Sequence, residues 1–131
     1  MPLVMAVCLD VMDRPWCWGV ADCCTAACDV FLLLYRVDPM EPLRGQYSTR
    51  LGAMRHIAQE GGFLAMGNRL ADRAGLVRVD DAQPGDIGVI RDGSGVLALG
   101  ICTEFGWAGK TENGMEVGGM LKEMRAWSCP R

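Results

Sequence analysis

The chain has 131 residues, of which 50% are hydrophobic and 22% are charged. This length and composition predict one domain over residues 1–131, with enough apolar material for a single core. The formal net charge is only −3 and no basic run is present, which argues against a nucleic-acid partner. No apolar stretch reaches the ~18 residues of a membrane-spanning helix, and no basic leader marks a secretion signal, so membrane insertion is not expected.

The seven cysteines are an odd number, and without a secretion signal they predict reduced thiols rather than a disulfide framework. Four of the cysteines lie close together in the sequence: Cys17, Cys23, Cys24 and Cys28. They form no Cys-x-x-Cys pair, and the sequence has no second cysteine cluster that could complete a metal site with them. We therefore expect no metal and no cofactor. Buried cysteines behave as small hydrophobes, and this is our interpretation of every cysteine except Cys23.

The first half of the sequence has helical periodicity. Residues 3–12 favour a helix, with a strand as the alternative, and Arg14-Pro15 ends it. An aromatic turn over residues 16–19 precedes the best-marked helix, which Asp22 caps and which continues to about residue 35. Its apolar positions predict a core helix: Cys24, Ala27, Cys28, Phe31, Leu32 and Tyr35.

Two more helices are predicted before the pattern changes. The third begins near residue 48 or 49 and runs to about residue 60, where Gly61-Gly62 stops it. Its predicted apolar face consists of Leu51, Met54, Ile57 and Ala58. A shorter helix covers residues 63–74 and ends at Gly75.

The remainder of the chain predicts strands. Residues 87–91 and 96–103 read as a hairpin around the turn at residues 92–95, and residues 115–117 and 121–127 favour two further strands. The glycine-rich stretch 106–119 lacks the strand-to-helix context of a phosphate loop. Helices followed by a small antiparallel sheet predict the α+β class.

Cys23 is the candidate for chemistry. A helix N-terminus stabilises a thiolate through its dipole, and its free N–H groups can stabilise an oxyanion. A cysteine in the first turn of a core helix is therefore a suitable acyl-transfer nucleophile. Gly19 allows close approach of the chain, and Trp18 can wall a cleft. Position alone leaves open the alternative that Cys23 is one more core cysteine.

The sequence resembles the NlpC-type family of cell-wall peptidases and amidases, which are papain-like enzymes. The resemblance rests on three segments over residues 15–103: Trp18-Gly19-Val20-Ala21-Asp22-Cys23, Pro84-Gly85-Asp86-Ile87-Gly88-Val89 and Leu99-Gly100-Ile101. It implies a papain-like domain in which Cys23 is the nucleophile, its own backbone N–H contributes to the oxyanion hole, Asp22 caps the helix and Trp18 and Gly19 wall the cleft.

The segment Leu43-Arg44-Gly45-Gln46-Tyr47-Ser48-Thr49 makes the resemblance more specific. Together with the chain length, it is similar to short proteins encoded in phage and prophage tail modules and to tail-tip proteins of gene transfer agents. The resemblance implies a virion or particle tail component, made in the bacterial cytoplasm, whose partners are other tail-tip, hub or baseplate proteins, with peptidoglycan as a further candidate.

The sequence departs from the enzyme pattern at Ala98. The family's base is a histidine at this position, and a general base is typically worth ~10²–10⁴ in rate. His56 is the chain's only histidine and reads as a surface or partly buried helical residue. Glu104 and Asp86 are weaker candidates for a carboxylate that assists in place of the missing base. A base supplied by a partner subunit is a further alternative.

Three functional hypotheses follow. The first is a tail-tip or tail-assembly component that keeps the fold without the chemistry. The alternative is an active cysteine peptidase or amidase that cleaves peptidoglycan cross-links during particle entry. The third is a metal or redox protein that uses the cysteine cluster. The alanine at position 98 favours the first.

Overall fold

Four helices occupy the first half of the chain and six strands the second, in a computed structural model that describes residues 3–130. The helices are α1 (Val4–Met12), α2 (Cys23–Tyr35), α3 (Arg50–Gln59) and α4 (Phe63–Arg73), with a short 3₁₀ helix at Glu41–Leu43. This arrangement confirms the predicted α+β class, with helices first and an antiparallel sheet after them.

One six-stranded antiparallel sheet forms the second half. Its strands are β1 (Val77–Val79), β2 (Ile87–Arg91), β3 (Leu97–Thr103), β4 (Gly106–Thr111), β5 (Gly114–Val117) and β6 (Lys122–Ser128). Their order across the sheet is β1-β6-β2-β3-β4-β5. The last strand therefore inserts between β1 and β2, with an irregularity in its register at Val89 and Ile90.

The core lies between α2 and the middle of the sheet, where α2 packs mainly against β3 and β4, and α1 packs beside it. Ala27, Cys28 and Phe31 of α2 are fully buried. Leu99 and Ile101 of β3 are buried with them in the same core cluster. A helix covered on this many sides explains why the α2 sequence is apolar around most of its circumference.

Helix α4 approaches the sheet closely through Gly67. A Cβ atom at this position would stand 2.8 Å from Val89 Cγ2, so a larger residue would force helix and sheet apart. The glycine inside this helix is therefore explained by packing rather than by flexibility.

The predicted helices are confirmed to within two residues, and the first element is a helix rather than the alternative strand. The predicted burial was wrong in two places. Leu51 and Met54 of α3 are 62% and 51% exposed and Ala58 is exposed as well, while Ala53 is its buried residue. Leu32 of α2 is 37% exposed, beyond the edge of the covered face.

Two strands of the structure were not predicted from the sequence. Strand β1 is only three residues long, too short for a periodic signal. Strand β4 lies in the glycine-rich stretch, where Gly109 faces Ile90: a Cβ at Gly109 would stand 3.2 Å from Ile90 Cδ1. Close approach of the neighbouring side chain thus accounts for a glycine that resembles a loop residue in the sequence.

All seven cysteines lie in the described part of the chain and none is paired in a disulfide. Cys8, Cys24 and Cys28 are buried, as expected for small hydrophobic residues. Cys17 is exposed, so its interpretation as a core residue was wrong. It lies in the turn before α2, where it forms an isolated bridge with Ala21.

Candidate functional site

Asp22 fixes the point at which α2 begins. Its Oδ1 accepts hydrogen bonds from the backbone N–H groups of Cys24, at 3.0 Å, and Thr25, at 2.9 Å. Thr25 Oγ1 in turn accepts from the Asp22 backbone N–H at 2.8 Å, which completes a capping box. Because this box satisfies otherwise free donors of the first turn, Cys23 is held as the first helical residue.

The other carboxylate oxygen of Asp22 ties two further segments to the same point. Oδ2 accepts from the Gly19 backbone N–H at 2.8 Å and from the Tyr47 hydroxyl at 2.6 Å. Burial, followed by nearby Cys24 and the contact with Asp22, holds the pKa of the Tyr47 hydroxyl well above its usual value. Tyr47 therefore stays protonated and donates to Asp22 throughout the neutral range.

Gly19 is required where the aromatic turn meets the loop around Tyr47. Its φ is +85°, and a Cβ there would stand 2.1 Å from the Tyr47 carbonyl oxygen. The neighbouring rings of Trp16 and Trp18 meet edge to face, with centroids 5.0 Å apart. The turn before Cys23 is thus a close-packed aromatic structure held by one carboxylate.

Arg44 anchors the loop that carries Tyr47. Its guanidinium donates twice to Asp38, at 2.7 and 3.0 Å, and lies 2.7 Å from a carboxylate oxygen of Asp29 on α2. In the sequence, the Arg-Gly-x-Tyr segment indicated only a family resemblance. The structure gives two of its side chains a positioning role: Tyr47 contacts Asp22 at the start of α2, and Arg44 joins Asp29 in the middle of α2 to Asp38.

Cys23 lies half-buried on the wall of a cavity of about 520 Å³. Much of the lining is apolar, with Trp16, Trp18, Met40, Leu43, Ile57, Phe63, Met66 and Leu97 among the residues that form it. Pockets of this size and character accommodate small ligands or peptide side chains.

Within residues 3–130, the described side-chain partner of the Cys23 sulfur is the Cys24 sulfur, 3.9 Å away. No imidazole or carboxylate in that range hydrogen-bonds to Cys23 Sγ. The contact with Cys23, together with burial, raises the pKa of the Cys24 thiol. Cys24 is consequently a buried neutral thiol. Both residues line the cavity, and Cys23 is the less buried of the two.

Ala98 lines the same cavity from strand β3. It is half-buried and lies opposite Ile90 in the β2–β3 pairing. The structure therefore brings the candidate nucleophile and the position of the expected base to one cavity, although they are distant in sequence. Because residue 98 is an alanine, a methyl group is the only side chain at the position of the expected base.

His56 also lines this cavity, from helix α3. It is half-buried, and its Nε2 lies 3.2 Å from the Gln46 carbonyl oxygen. Because a carbonyl only accepts hydrogen bonds, this contact places a proton on Nε2 and leaves Nδ1 as the free lone pair of the neutral ring. The ring also lies 6.0 Å from that of Tyr47, centroid to centroid. The sequence gave no sign that His56 shares a cavity with Cys23.

Lys110 is a second cavity residue that the sequence analysis missed. It is 3% exposed, and its Nζ donates to the backbone carbonyls of Met12, at 2.9 Å, and of Arg14. Burial lowers the pKa of this ammonium, while nearby Asp13 opposes the shift. The residue belongs to β4, whose glycine-rich sequence concealed the strand.

The two carboxylates considered as substitute bases are bound elsewhere. Glu104 accepts hydrogen bonds from the backbone N–H groups of Val4 and Met5, at 2.9 and 3.0 Å, and so caps the start of α1. Asp86 is buried and accepts from the Gln83 N–H at 2.8 Å in the turn before β2. Neither lines the cavity around Cys23.

No group of three or more His, Cys, Asp or Glu side chains in residues 3–130 is placed to hold a metal ion. Each helix in that range is too short or too polar to cross a membrane.

The chain belongs to the DUF6950 family, a domain of unknown function, whose family profile matches residues 3–129. No curated protein and no solved structure matches the chain.

Proposed function

We propose that this chain is a tail-tip or tail-assembly component of a phage or phage-like particle. In this proposal it has an NlpC-type, papain-like scaffold that no longer works as an efficient peptidase. Its partners are other tail-tip, hub or baseplate proteins, and peptidoglycan is a further contact of the tail. The chain is made in the bacterial cytoplasm and carried in the particle tail.

Three placements support the papain-like part of the proposal. Cys23 is the first residue of a core helix and lies on a cavity wall. Gly85-Asp86 forms the turn into β2. Ala98 lies in the next strand and lines that same cavity. These are the relative positions that the resemblance assigns to nucleophile, turn and base.

The observation that carries the non-enzymatic part is that Ala98 lines the same cavity as Cys23. An alanine neither accepts the thiol proton nor protonates a leaving group, so position 98 supplies no acid/base chemistry to the cavity. A cleft that is retained without a base at this position is suited to binding a segment of a partner protein without cleaving it.

The test uses particles from which this chain has been deleted and then restored in variant form. We expect deletion to abolish tail assembly or infectivity, and wild type and Cys23→Ala to restore it equally. The exposed Cys17→Ala is the matched control. The proposal fails if purified particles lack the chain, or if Cys23→Ala is incorporated but behaves like the deletion while Cys17→Ala does not.

A second candidate function, an active cysteine peptidase or amidase, is favoured by one observation: His56 lines the cavity with its proton held on Nε2 by Gln46. The neutral ring then presents Nδ1 as a base. Under this hypothesis the purified protein releases peptide cross-links from sacculi, and both Cys23→Ala and His56→Gln stop the release. Sacculi that remain intact with wild-type protein exclude it.

A further inference from the structure

Lys110 is an unusual residue for a cavity wall, because a lysine that is 3% exposed carries a charge largely removed from water. Burying an ammonium is costly unless hydrogen bonds and an opposite charge compensate. Its bonds to the carbonyls of Met12 and Arg14 supply part of this compensation at the end of α1.

The compensation is incomplete. An ammonium carries three N–H donors, and the two carbonyls fill two of them. No carboxylate forms an ion pair with Nζ within the described residues, although Asp13 is near enough to raise the pKa of the ammonium. The third donor therefore has no hydrogen-bond partner among the described residues and remains for a further acceptor.

The other charged groups around the cavity do not supply that acceptor. The Asp22 carboxylate already accepts hydrogen bonds from backbone N–H groups at the start of α2. Asp92 Oδ1 accepts from the Ser94 N–H and hydroxyl and from the Val96 N–H in its own turn. Glu112 and Arg50 lie at the exposed part of the lining, and within residues 3–130 neither is in an ion pair.

We propose that this cavity binds a peptide segment bearing a carboxylate, which Lys110 holds, and an adjacent apolar side chain, which packs among Trp16, Trp18 and Phe63. The inference rests on the proposed function, in which the cleft holds a partner segment, and it names the chemistry of that segment. The carboxylate is either a chain terminus or an Asp or Glu side chain, since both present the same acceptor group.

The experiment titrates the intact protein with three probes. They are acetyl-phenylalanyl-leucine with a free carboxylate, its carboxamide, and acetyl-phenylalanyl-glutamate carboxamide. Trp16 and Trp18 line the cavity whereas Trp107 and Trp127 do not, so tryptophan fluorescence reports occupancy. We expect at least one acid to bind about tenfold or more tightly than the neutral carboxamide, as a charge-assisted hydrogen bond requires.

The identity of the tighter acid distinguishes the two sources. Preference for the free terminus assigns a chain end, and preference for the glutamyl probe assigns a side chain. Equal binding of the acids and the carboxamide overturns the role of Lys110 while leaving the cleft as a binding site. Absence of binding by all three overturns the inference, whereas the proposed function is judged separately by incorporation into particles.

Lys110→Met is the matched variant, because it keeps an unbranched side chain and removes the charge. We expect it to abolish the preference for acids without weakening carboxamide binding. A solely structural role at the end of α1 would change stability but leave the acid preference intact. If the variant does not fold, the comparison of probes on the wild-type protein still decides whether the cavity prefers a carboxylate.

Discussion

Asp22→Ala is expected to be the most destabilising single change near the site. The carboxylate is 2% exposed and accepts from three backbone N–H groups and the Tyr47 hydroxyl, at 2.6–3.0 Å. Loss of an N-cap typically costs ~1 kcal/mol, and each buried donor left without a partner costs about 1–3 kcal/mol. Since water can reach part of the Gly19 end, we expect a total loss of about 3–5 kcal/mol.

Urea unfolding followed by circular dichroism measures this loss. Asp22→Asn is the control, because its amide oxygen can still accept from the first turn of α2 while its NH₂ group cannot accept from Tyr47. We expect it to lose roughly half as much stability. Tyr47→Phe should cost about 1.5–3 kcal/mol in the wild type and little in Asp22→Ala. A loss below about 1 kcal/mol for Asp22→Ala would refute this account of the cap.

Three further changes test the surroundings of the site, each by urea unfolding. Gly19→Ala should lose at least about 2 kcal/mol, because it combines a left-handed backbone with a contact to Tyr47; a loss under 0.5 kcal/mol, on the order of a surface change, would contradict the close approach. Arg44→Met should lose about 1–2 kcal/mol, since its carboxylate partners are partly exposed, and unchanged stability would contradict the anchoring. Burial raises the pKa of the Cys8 thiol to about 12. Its contribution to the free energy of unfolding is therefore full below the ~8.5 of the unfolded thiol and is lost as the pH rises above that value. Cys8→Ala should reduce the fall of the unfolding free energy at alkaline pH by up to ~1.4 kcal/mol per pH unit, and an unchanged fall would refute this.

The start of α2 could be predicted from the sequence because its signals are local. The capping box joins Asp22 to residues two and three positions away, and the apolar repeat follows directly. The same holds for the hairpin of β2 and β3, whose turn at Asp92 is closed by bonds to residues two and four positions on. Short-range patterns of this kind are visible in a single sequence.

The remaining parts of the site depend on contacts between distant residues. Tyr47 reaches Asp22 across 25 positions, and Lys110 reaches Met12 across 98. No local pattern encodes such a contact. Strand β4 was missed because close packing selects glycine there, and glycine is typical of loops. The inward face of α3, which brings His56 to the cavity, likewise depends on how the helix docks.

The central proposal is that Cys23 and Ala98, which line one cavity, occupy the positions of a nucleophile and of a base that has been lost. Ala98→His tests it most directly, with the alkylation rate of Cys23 by iodoacetamide measured by peptide mass spectrometry and the exposed Cys17 as internal reference. An imidazolium beside the sulfur stabilises the thiolate, so we predict that Cys23 reacts at least about tenfold faster at neutral pH, with a new step near the ordinary imidazole value of ~6.5. A folded Ala98→His protein whose Cys23 reacts at the wild-type rate would contradict the claim.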